Sequence, residues 1–395
     1  MKNLKILHTV EFYSPSVGGA QEVVKQISEH LVKLGHDITV ATTKLPSRNF
    51  RTLNGVKIKE FKISGNKVRG FTGEKEKYKS WLKKSNFDLV MNYAAQQWAT
   101  DLFFEVIDQI SAKKILVPCG FSGLYNPNYK EYFKKLPSIL KKYDASIYLS
   151  NNYRDINFAR KNKIKNLIII PNGADEQEFA KINNENAKKF RNKYGINDNE
   201  LLFLNVSTHT GVKGHKETIQ AFKKAKVKNA TLVFVGDINP HSGCYKSCKK
   251  SEFIQNKIMP LFNNNNKKIK VISISREETI DAYNAADIFL FLSNIECSPL
   301  VLFEAAAAGK PFISSNCGNA KEIAKWTKSG IITKSTQDIK GYTKIDINDS
   351  VEKIEKLANN KKLRIKLGLS GRKAWQNKFT WEKITKEYEK IYLKL

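Results

Sequence analysis

The sequence has few cysteines and no long apolar run, and both features narrow the class of protein. Five cysteines among 395 residues form an odd, sparse set without disulfide-scaffold spacing, which favours a reducing, cytoplasmic location. No apolar run approaches the roughly 20 residues that cross a bilayer. Met1–Lys5 leads directly into a strand-like segment, so no signal peptide is predicted.

Acidic residues are scarce, and the net charge of +30 raises the question of nucleic-acid or membrane binding. Up to Pro171 there are 29 basic against 14 acidic residues, and after it 39 against 24, an excess of 15 on each side. This even spread indicates a compositional bias rather than a binding stripe. It predicts a weak preference for anionic membrane surfaces, such as the inner face of the membrane. Nucleic-acid binding, motivated by charge alone, is retained only as an alternative that a salt titration would test.

Strand-like and helix-like segments alternate along the chain, which predicts an α/β fold with parallel sheets. The break at Pro171-Asn172-Gly173 suggests a domain boundary, after which the alternation begins again. We therefore predict two doubly wound, Rossmann-like domains facing a central cleft: 1–171 and 172–375, followed by a C-terminal helix, 376–395, packing back on the first. Asp237–Lys268 has little periodicity and is predicted to be a long loop with one short helix.

Predicted strands are Lys5–His8, Ile38–Ala41, Leu89–Asn92, Ile115–Val117, Ile147–Leu149, Leu167–Ile170, Leu201–Val206, Leu232–Val235, Ile269–Ile274, Ile288–Leu292 and Phe312–Ser314. Predicted helices are Ala20–Leu34, Glu217–Lys224, Glu277–Ala286, Leu300–Ala308 and Phe379–Leu395, the last with Trp381, Ile384, Tyr388 and Ile391 on one stripe.

The most informative stretch runs from Ser293 to Glu304, where a buried strand ends in a loop and a helix opens at Pro299. The loop contains Glu296, and Glu304 follows eight positions later inside the helix. The helix N-terminus offers unbonded amides and a positive dipole end to a phosphate. Glu296 would reach a sugar beside that phosphate, while Glu304 would accept hydrogen bonds from ribose hydroxyls. The alternative is a capping glutamate and a solvated helical one.

This pattern resembles the Glu-x7-Glu signature of retaining glycosyltransferases with the GT-B fold, especially glycosyltransferase family 4. The resemblance implies that Glu296 holds the donor sugar and Glu304 the ribose. It places the donor diphosphate near Ser298, Pro299, Leu300 and Val301.

Two further segments match the family in order along the chain. Gly18-Gly19 resembles its Gly-Gly-Ala loop, which faces the donor diphosphate and the acceptor, and two glycines allow close backbone approach and positive φ. Lys213 occupies the position of a lysine that neutralises the donor diphosphate. The resemblance thus assigns Glu296, Gly19 and Lys213 to catalysis.

Two departures from the family pattern are evident. Thr208 occupies the position where the family usually has an arginine, so a phosphate contact is lost or is supplied by Thr208, His209 or a different arginine. Cys119 replaces a histidine near the sugar. A front-face retaining mechanism needs no enzymic base, yet these changes leave open a catalytically silent partner subunit that binds acceptor or stabilises an active transferase.

The resemblance also gives the expected ligands. The donor is a UDP- or GDP-sugar, with UDP favoured, and the acceptor is a glycan or lipid-linked hydroxyl. Backbone around Ile274, Ser275 and Arg276 is the candidate nucleobase site. No tightly bound cofactor is expected, and the absence of Gly-x-Gly-x-x-Gly argues against nicotinamide or flavin.

No metal site is predicted, and the sequence does not decide the role of three aromatic residues. His241-x2-Cys244-x3-Cys248 supplies three potential zinc ligands, but no fourth is apparent in the sequence. There is also no Asp-x-Asp motif for a metal-bridged donor. Trp98, Tyr125 and Tyr129 would either stack on an acceptor sugar or serve as core and rim aromatics.

Overall fold

The structure, a computed structural model, describes residues 3–262 and 265–395. The chain forms two compact units: unit 1 comprises Met1–Asn172 and Trp381–Leu395, and unit 2 comprises Gly173–Thr380. Among the described residues, no helix is both long and apolar enough to cross a membrane.

Unit 1 is built on a parallel sheet. Its strands are β1 (Lys5–Thr9), β2 (Asp37–Thr43), β3 (Thr52–Leu53), β4 (Val56–Phe61), β5 (Ile63–Asn66), β6 (Gly70–Gly73), β7 (Leu89–Tyr93), β8 (Lys113–Val117), β9 (Ala145–Tyr148) and β10 (Leu167–Ile169). Its first helices are α1 (Gly19–Lys33), α2 (Lys75–Lys84), α3 (Trp98–Phe104), α4 (Lys130–Leu140) and α5 (Arg154–Lys161). The main sheet has the order β10-β9-β8-β7-β1-β2-β4-β3, and every pair except β3–β4 is parallel.

Unit 2 repeats this plan with a six-stranded, wholly parallel sheet. The strands of unit 2 are β11 (Leu201–Val206), β12 (Ala230–Val235), β13 (Lys267–Ile272), β14 (Ile288–Phe291), β15 (Phe312–Ser315), β16 (Gly330–Thr333), β17 (Ser335–Gln337) and β18 (Thr343–Ile345). Its helices are α6 (Asn184–Lys193), α7 (His215–Lys224), α8 (Gly243–Phe253), α9 (Arg276–Ala285), α10 (Leu300–Ala307), α11 (Ala320–Thr327), α12 (Ile347–Ala358) and α13 (Lys361–Lys378). The sheet order is β13-β12-β11-β14-β15-β16, which confirms the predicted α/β class with parallel sheets.

The predicted loop Asp237–Lys268 is wrong for most of its length. Helix α8 continues through a wider π turn at Ile254–Ile258 and a short 3-10 turn at Met259–Leu261. The segment is only weakly amphipathic because α8 buries just Cys248, so periodicity did not reveal it. Asn263 and Asn264, which the prediction included, lie outside the described residues.

The last helix, α14 (Trp381–Lys394), belongs to unit 1 and packs on α1. Trp381, Ile384 and Tyr388 are buried as predicted, but the fourth position of the stripe is wrong: Tyr392 is buried and Ile391 only half-buried. Tyr392 is the better fit because its hydroxyl donates to Met91 Sδ at 3.0 Å and lies 3.3 Å from His8 Nε2.

The burial of His8 keeps its imidazole neutral and makes unit 1 sensitive to acid. The ring has two close partners, since Nε2 lies 3.3 Å from the Tyr392 hydroxyl and Nδ1 lies 2.8 Å from Ser28 Oγ. Burial lowers the pKa of His8 to about 3. Between pH 6.5 and about 3 the unfolded chain therefore binds one proton more, and stability falls as the pH falls.

We expect unfolding at pH 5 to be easier than at pH 7 by about 2 kcal/mol through His8 alone. Urea unfolding, with hydrogen exchange of the β1 peptide as the local readout, should give a change in stability from pH 7 to pH 5 that is less favourable in the parent than in His8→Gln by this amount. The comparison removes the opposing contribution of Asp101 and Asp155, whose pKa values burial raises to about 6. Equal pH dependence in both proteins would contradict a neutral buried His8.

Candidate active site

Unit 2 has a topological switch point at β11, which lies between β12 and β14 although β14 comes more than 80 residues later. Phe203 pairs with Ile288 and Leu204 with Phe289, while the other edge of β11 pairs with β12. In open parallel sheets, the loops at the carboxyl ends of such strands diverge to opposite faces and leave a crevice for ligands. The loop after β11 contains Lys213, and the loop after β14 contains Glu296.

These two predicted residues meet in an ion pair. Lys213 Nζ lies 2.6 Å from Glu296 Oε1, and their side chains are 26% and 13% exposed. Ser293 Oγ donates to the same carboxylate oxygen at 3.1 Å. Beneath the loop, burial and then the negative charge of Glu296 raise the pKa of Cys317 to about 12, so its thiol remains neutral. The site thus presents one cation and one anion side by side.

Backbone contacts hold the two loops together. The carbonyl of Val212 accepts from Asn294 N at 3.0 Å, which joins the two loops. Gly214 has φ of +66°, and a Cβ at that position would lie 1.5 Å from the Leu292 carbonyl oxygen. Only glycine permits this approach, so the Lys213-Gly214 pair is fixed against the end of β14.

The start of α10 is where the sequence analysis placed phosphate-binding amides. The helix begins at Leu300, as predicted, and Pro299 is its N-cap residue rather than a residue of the first turn. Leu300 and Val301 are half-buried, and amides in the first turn of a helix have no partner within it. The preceding Ser298 Oγ accepts from Asn319 Nδ2 at 3.2 Å, which holds this loop against the one after β15.

Glu304 lies inside α10, 7% exposed, with both oxygens paired. Oε1 accepts from Arg276 Nη2 at 2.6 Å, and Oε2 accepts from the Tyr283 hydroxyl at 2.8 Å. Arg276 also bonds Glu178, through Nε at 3.0 Å and Nη2 at 2.5 Å. Burial, and then the charge of Glu304, raises the pKa of Tyr283 well above its usual value, so the phenol stays protonated and donates.

Tyr283 and Glu178 were missed by the sequence analysis. Tyr283 lies seven residues after Arg276 in α9, two turns along the same face, so the helical period was a usable signal. Glu178 has no such signal, because it reaches Arg276 from a segment before α6, nearly 100 residues earlier.

The predicted nucleobase residues surround the start of α9. Ile274 is half-buried and follows β13, not within it as predicted, because pairing with β12 ends at Ile272. Ser275 caps α9, its hydroxyl accepting from Glu278 N at 3.1 Å. Arg276 contributes through its guanidinium, where the prediction considered only its backbone.

Thr208, at the position where the family usually has an arginine, and its neighbour His209 differ in exposure. Thr208 is exposed beside Lys213's loop, and its carbonyl accepts from Thr210 N at 2.9 Å. His209 is 3% exposed and its ring stacks on His215, with centroids 4.5 Å apart. His209 is therefore buried, which argues against it as a substitute phosphate donor.

In unit 1, Gly18 and Gly19 form the start of α1. Gly18 is the N-cap residue of α1 in an extended conformation, and neither glycine adopts the left-handed φ that the sequence permits there. No atom would lie within 4 Å of a Cβ at Gly19, so the structure leaves room there. At the end of β8, Cys119 has φ of +57°, in a tight turn whose Gly120 amide donates to Asp155.

The three aromatic candidates for stacking on an acceptor sugar differ in burial and contacts. Trp98 is fully buried and donates from Nε1 to Thr43 Oγ1 at 2.8 Å, so it is a core residue. Tyr125 is 46% exposed with the Arg154 guanidinium 5.0 Å from its ring. The Tyr129 hydroxyl accepts from Asn66 Nδ2 at 2.9 Å.

Comparison with known proteins agrees with this geometry. Residues 17–178 match the sequence model of Glycosyltransferase Family 4, and residues 186–374 match that of Glycosyl transferases group 1. N-acetyl-alpha-D-glucosaminyl L-malate synthase of Bacillus anthracis is 22% identical over 96% of this chain and 94% of its own length. The capsular polysaccharide biosynthesis glycosyltransferase CapM of Staphylococcus aureus is 30% identical over 60% of this chain and 57% of its own.

The fold has solved counterparts as well. The crystal structure of Anabaena HepE in complex with UDP-glucose superposes with a TM-score of 0.76 over 100% of both chains at 15% identity. The two family matches cover most of the chain in succession, and the likeness of fold extends along all of it. The chain is therefore a glycosyltransferase of the family 4 type with the GT-B fold.

Proposed function

We propose that this glycosyltransferase transfers a hexosyl group from a UDP-sugar to a hydroxyl of a glycan or lipid-linked acceptor, with retention of configuration. Unit 2 binds the donor and unit 1 the acceptor, and no other cofactor is required. The observation that carries the proposal is the pairing of Lys213 with Glu296 at the switch point of unit 2.

The pair matches what a nucleotide sugar demands. The ammonium of Lys213 neutralises the diphosphate, whose charge grows as the sugar leaves, and electrostatic stabilisation of this kind is usually the largest catalytic contribution. The carboxylate of Glu296 accepts hydrogen bonds from donor-sugar hydroxyls. Without ligand the two groups satisfy each other, so neither is left as an uncompensated charge. The amides of Leu300 and Val301 add a second positive end for the diphosphate.

Glu304 is suited to the ribose even though both its oxygens are paired. A carboxylate has about four lone-pair positions, and Arg276 and Tyr283 use two of them. The remaining pairs accept two ribose hydroxyls. Arg276 and Tyr283 then act as positioning residues that keep the carboxylate oriented.

The transfer needs no enzymic base. The bond between the anomeric carbon and the β-phosphate oxygen breaks, and the acceptor oxygen forms its bond to that carbon on the same face. The acceptor proton passes to the departing phosphate oxygen, so charge and atoms balance. This is consistent with Cys119 at the position where the family has a histidine.

The acceptor class is supported by charge and by relatives. A net charge of +30 favours association with anionic membrane surfaces, where lipid-linked acceptors lie. One relative, CapM, bears a name that refers to capsular polysaccharide biosynthesis.

We expect one uridine nucleotide to raise the thermal midpoint selectively in a panel of nucleoside diphosphates and nucleotide sugars. A ligand at 100 times its Kd adds about 2.7 kcal/mol to the folded state, which is about 5–10 °C for a domain of this size. Glu304→Ala should abolish the shift. Tyr283→Phe, which retains the carboxylate and its arginine, is the matched control and should keep most of it.

The same panel distinguishes the alternatives. A shift with guanosine nucleotides would replace UDP by GDP in the proposal. No shift with any nucleotide at millimolar concentration would contradict a donor site and favour a catalytically silent partner subunit.

A further inference from the structure

A cluster of sulfur and nitrogen ligands lies behind the Lys213 loop. The side chains of His209, Cys244 and Cys248 place one potential metal-ligand atom each within 4.8 Å of the others. Cys244 Sγ and His209 Nδ1 are 3.8 Å apart. His209 and Cys248 are buried and Cys244 is partly buried. His241, which the sequence suggested as a ligand, is exposed and lies outside this cluster, because α8 begins only at Gly243.

Two separate segments of unit 2 supply the cluster. Cys244 and Cys248 are one turn apart on α8, so their thiols lie on the same face of the helix. His209 comes from the loop after β11. The sequence analysis missed it because the ligand is 35 residues from Cys244, on a segment assigned to phosphate binding.

His215, the first residue of α7, adjoins the cluster: it is 2% exposed and stacked on His209, but its ring nitrogens lie outside the group of ligand atoms that are within 4.8 Å of one another. Hydrogen bonds determine its tautomer. Asn205 Nδ2 donates to the Leu290 carbonyl at 2.7 Å, so Asn205 Oδ1 faces Ser207 and accepts its hydroxyl proton at 2.6 Å. Ser207 Oγ must therefore accept from His215 Nε2–H, 3.1 Å away.

This assignment leaves His215 Nδ1 with a bare lone pair. That atom is buried and has no hydrogen-bond partner among the described residues. A buried acceptor without a partner costs about 1–3 kcal/mol. Metal-bound histidines typically donate their other ring N–H to a fixed oxygen, which holds the tautomer and the ring. The Ser207–Asn205 chain does this for His215.

We propose that His209, Cys244 and Cys248 bind one Zn²⁺ ion, with His215 Nδ1 as the fourth ligand. Zinc prefers tetrahedral sets of cysteine and histidine, with Zn–S of about 2.3 Å and Zn–N of about 2.0–2.1 Å. Those lengths require sulfur and nitrogen ligands about 3.6 Å apart, close to the 3.8 Å between Cys244 and His209. With His215 Nδ1 turned toward the ion, four protein ligands would leave no open position, and the site would be structural.

The site has a clear consequence for the neighbouring loop. His209 and His215 bracket Lys213, and the cysteines lie on α8, so the ion would tie the Lys213 loop to α8. Bound zinc is thus expected to stabilise unit 2 and to position Lys213. Zinc binding itself does not depend on the proposed transferase activity.

The test is the metal content of the full chain purified without chelators. We expect about one zinc per chain by elemental analysis, and a lower thermal midpoint after chelation that zinc restores. Co²⁺ added to the metal-free protein should give the visible absorption of a tetrahedral site and a thiolate-to-cobalt charge-transfer band. Cys244→Ser and Cys248→Ser should lose both bands, and Ser207→Ala should weaken binding about 10-fold.

His241→Ala is the matched control, since it removes an exposed histidine three residues from Cys244 and should change nothing. Cys244, being partly exposed, also provides a variant that should fold even if Cys248→Ser does not. Less than one zinc per ten chains together with absent cobalt bands would overturn the proposal. A Cys244–Cys248 disulfide in the protein isolated under reducing conditions would overturn it as well.

Discussion

Replacing Lys213 with alanine should lower kcat for release of nucleoside diphosphate from the donor by about 100-fold or more. Lys213 provides the side-chain cation beside Glu296, where the leaving diphosphate gains charge. Its loss also leaves Glu296, only 13% exposed, as an uncompensated anion that repels the diphosphate. Nucleoside diphosphate release, measured with the donor that the nucleotide panel identifies, follows the step directly and needs no knowledge of the acceptor.

The split between kcat and KM separates the roles in this pair. Because the charge on the leaving group is greatest in the transition state, Lys213→Ala should lower kcat more than it raises KM. Lys216→Ala is the matched control: it removes the same charge from an exposed position three residues away. If both variants lost activity equally, the effect would arise from net charge, and Lys213 would have no specific role in leaving-group stabilisation.

Glu296→Gln tests the partner in the same assay. Glutamine still accepts one bond from a sugar hydroxyl through its carbonyl oxygen, but it no longer balances Lys213. We therefore expect a smaller loss than in Lys213→Ala and a changed preference among donor sugars. An unchanged preference among donor sugars would mean that Glu296 does not bind the donor sugar.

The sequence predicted the sheets well because parallel strands buried on both faces leave continuous apolar runs. Leu201–Val206 and the core of most other strands were located from composition alone. Strand ends were less certain. Ile269–Ile274 was placed two residues too far at its C-terminal end, since hydrogen bonding to β12 and not side-chain type decides where β13 stops.

The candidate site was predicted in parts. The positions of Glu296, Glu304 and Lys213 followed from motif spacing, but their pairings did not. That Lys213 contacts Glu296, and Arg276 contacts Glu304, depends on which strands are neighbours, and the sheet order β12-β11-β14 is not encoded in local periodicity. The same limit applies to His209, whose burial against His215 could not be distinguished from a ligand-facing position.

The close approach of Gly214 to the Leu292 carbonyl makes the pairing of Lys213 with Glu296 possible. Loss of this approach should cause the largest decrease in stability. We expect Gly214→Ala to lower the free energy of unfolding of unit 2 by more than about 4 kcal/mol, a value reached only by core or backbone disruption. The added Cβ would lie 1.5 Å from the Leu292 carbonyl oxygen, which cannot move without breaking the end of β14. The positive φ of +66° adds about 1–2 kcal/mol.

Gly211→Ala separates these two causes. Gly211 lies in the same loop with φ of +83°, but no atom would lie within 4 Å of its Cβ, so only the conformational cost of about 1–2 kcal/mol remains. Urea unfolding, with hydrogen exchange at β14, should therefore show that Gly214→Ala is much less stable than Gly211→Ala. Equal destabilisation would mean that the loop does not approach β14 closely. The Lys213–Glu296 pair would then lack rigid support. Gly214 is the residue that brings Lys213 to the end of β14, where the loop that contains Glu296 begins.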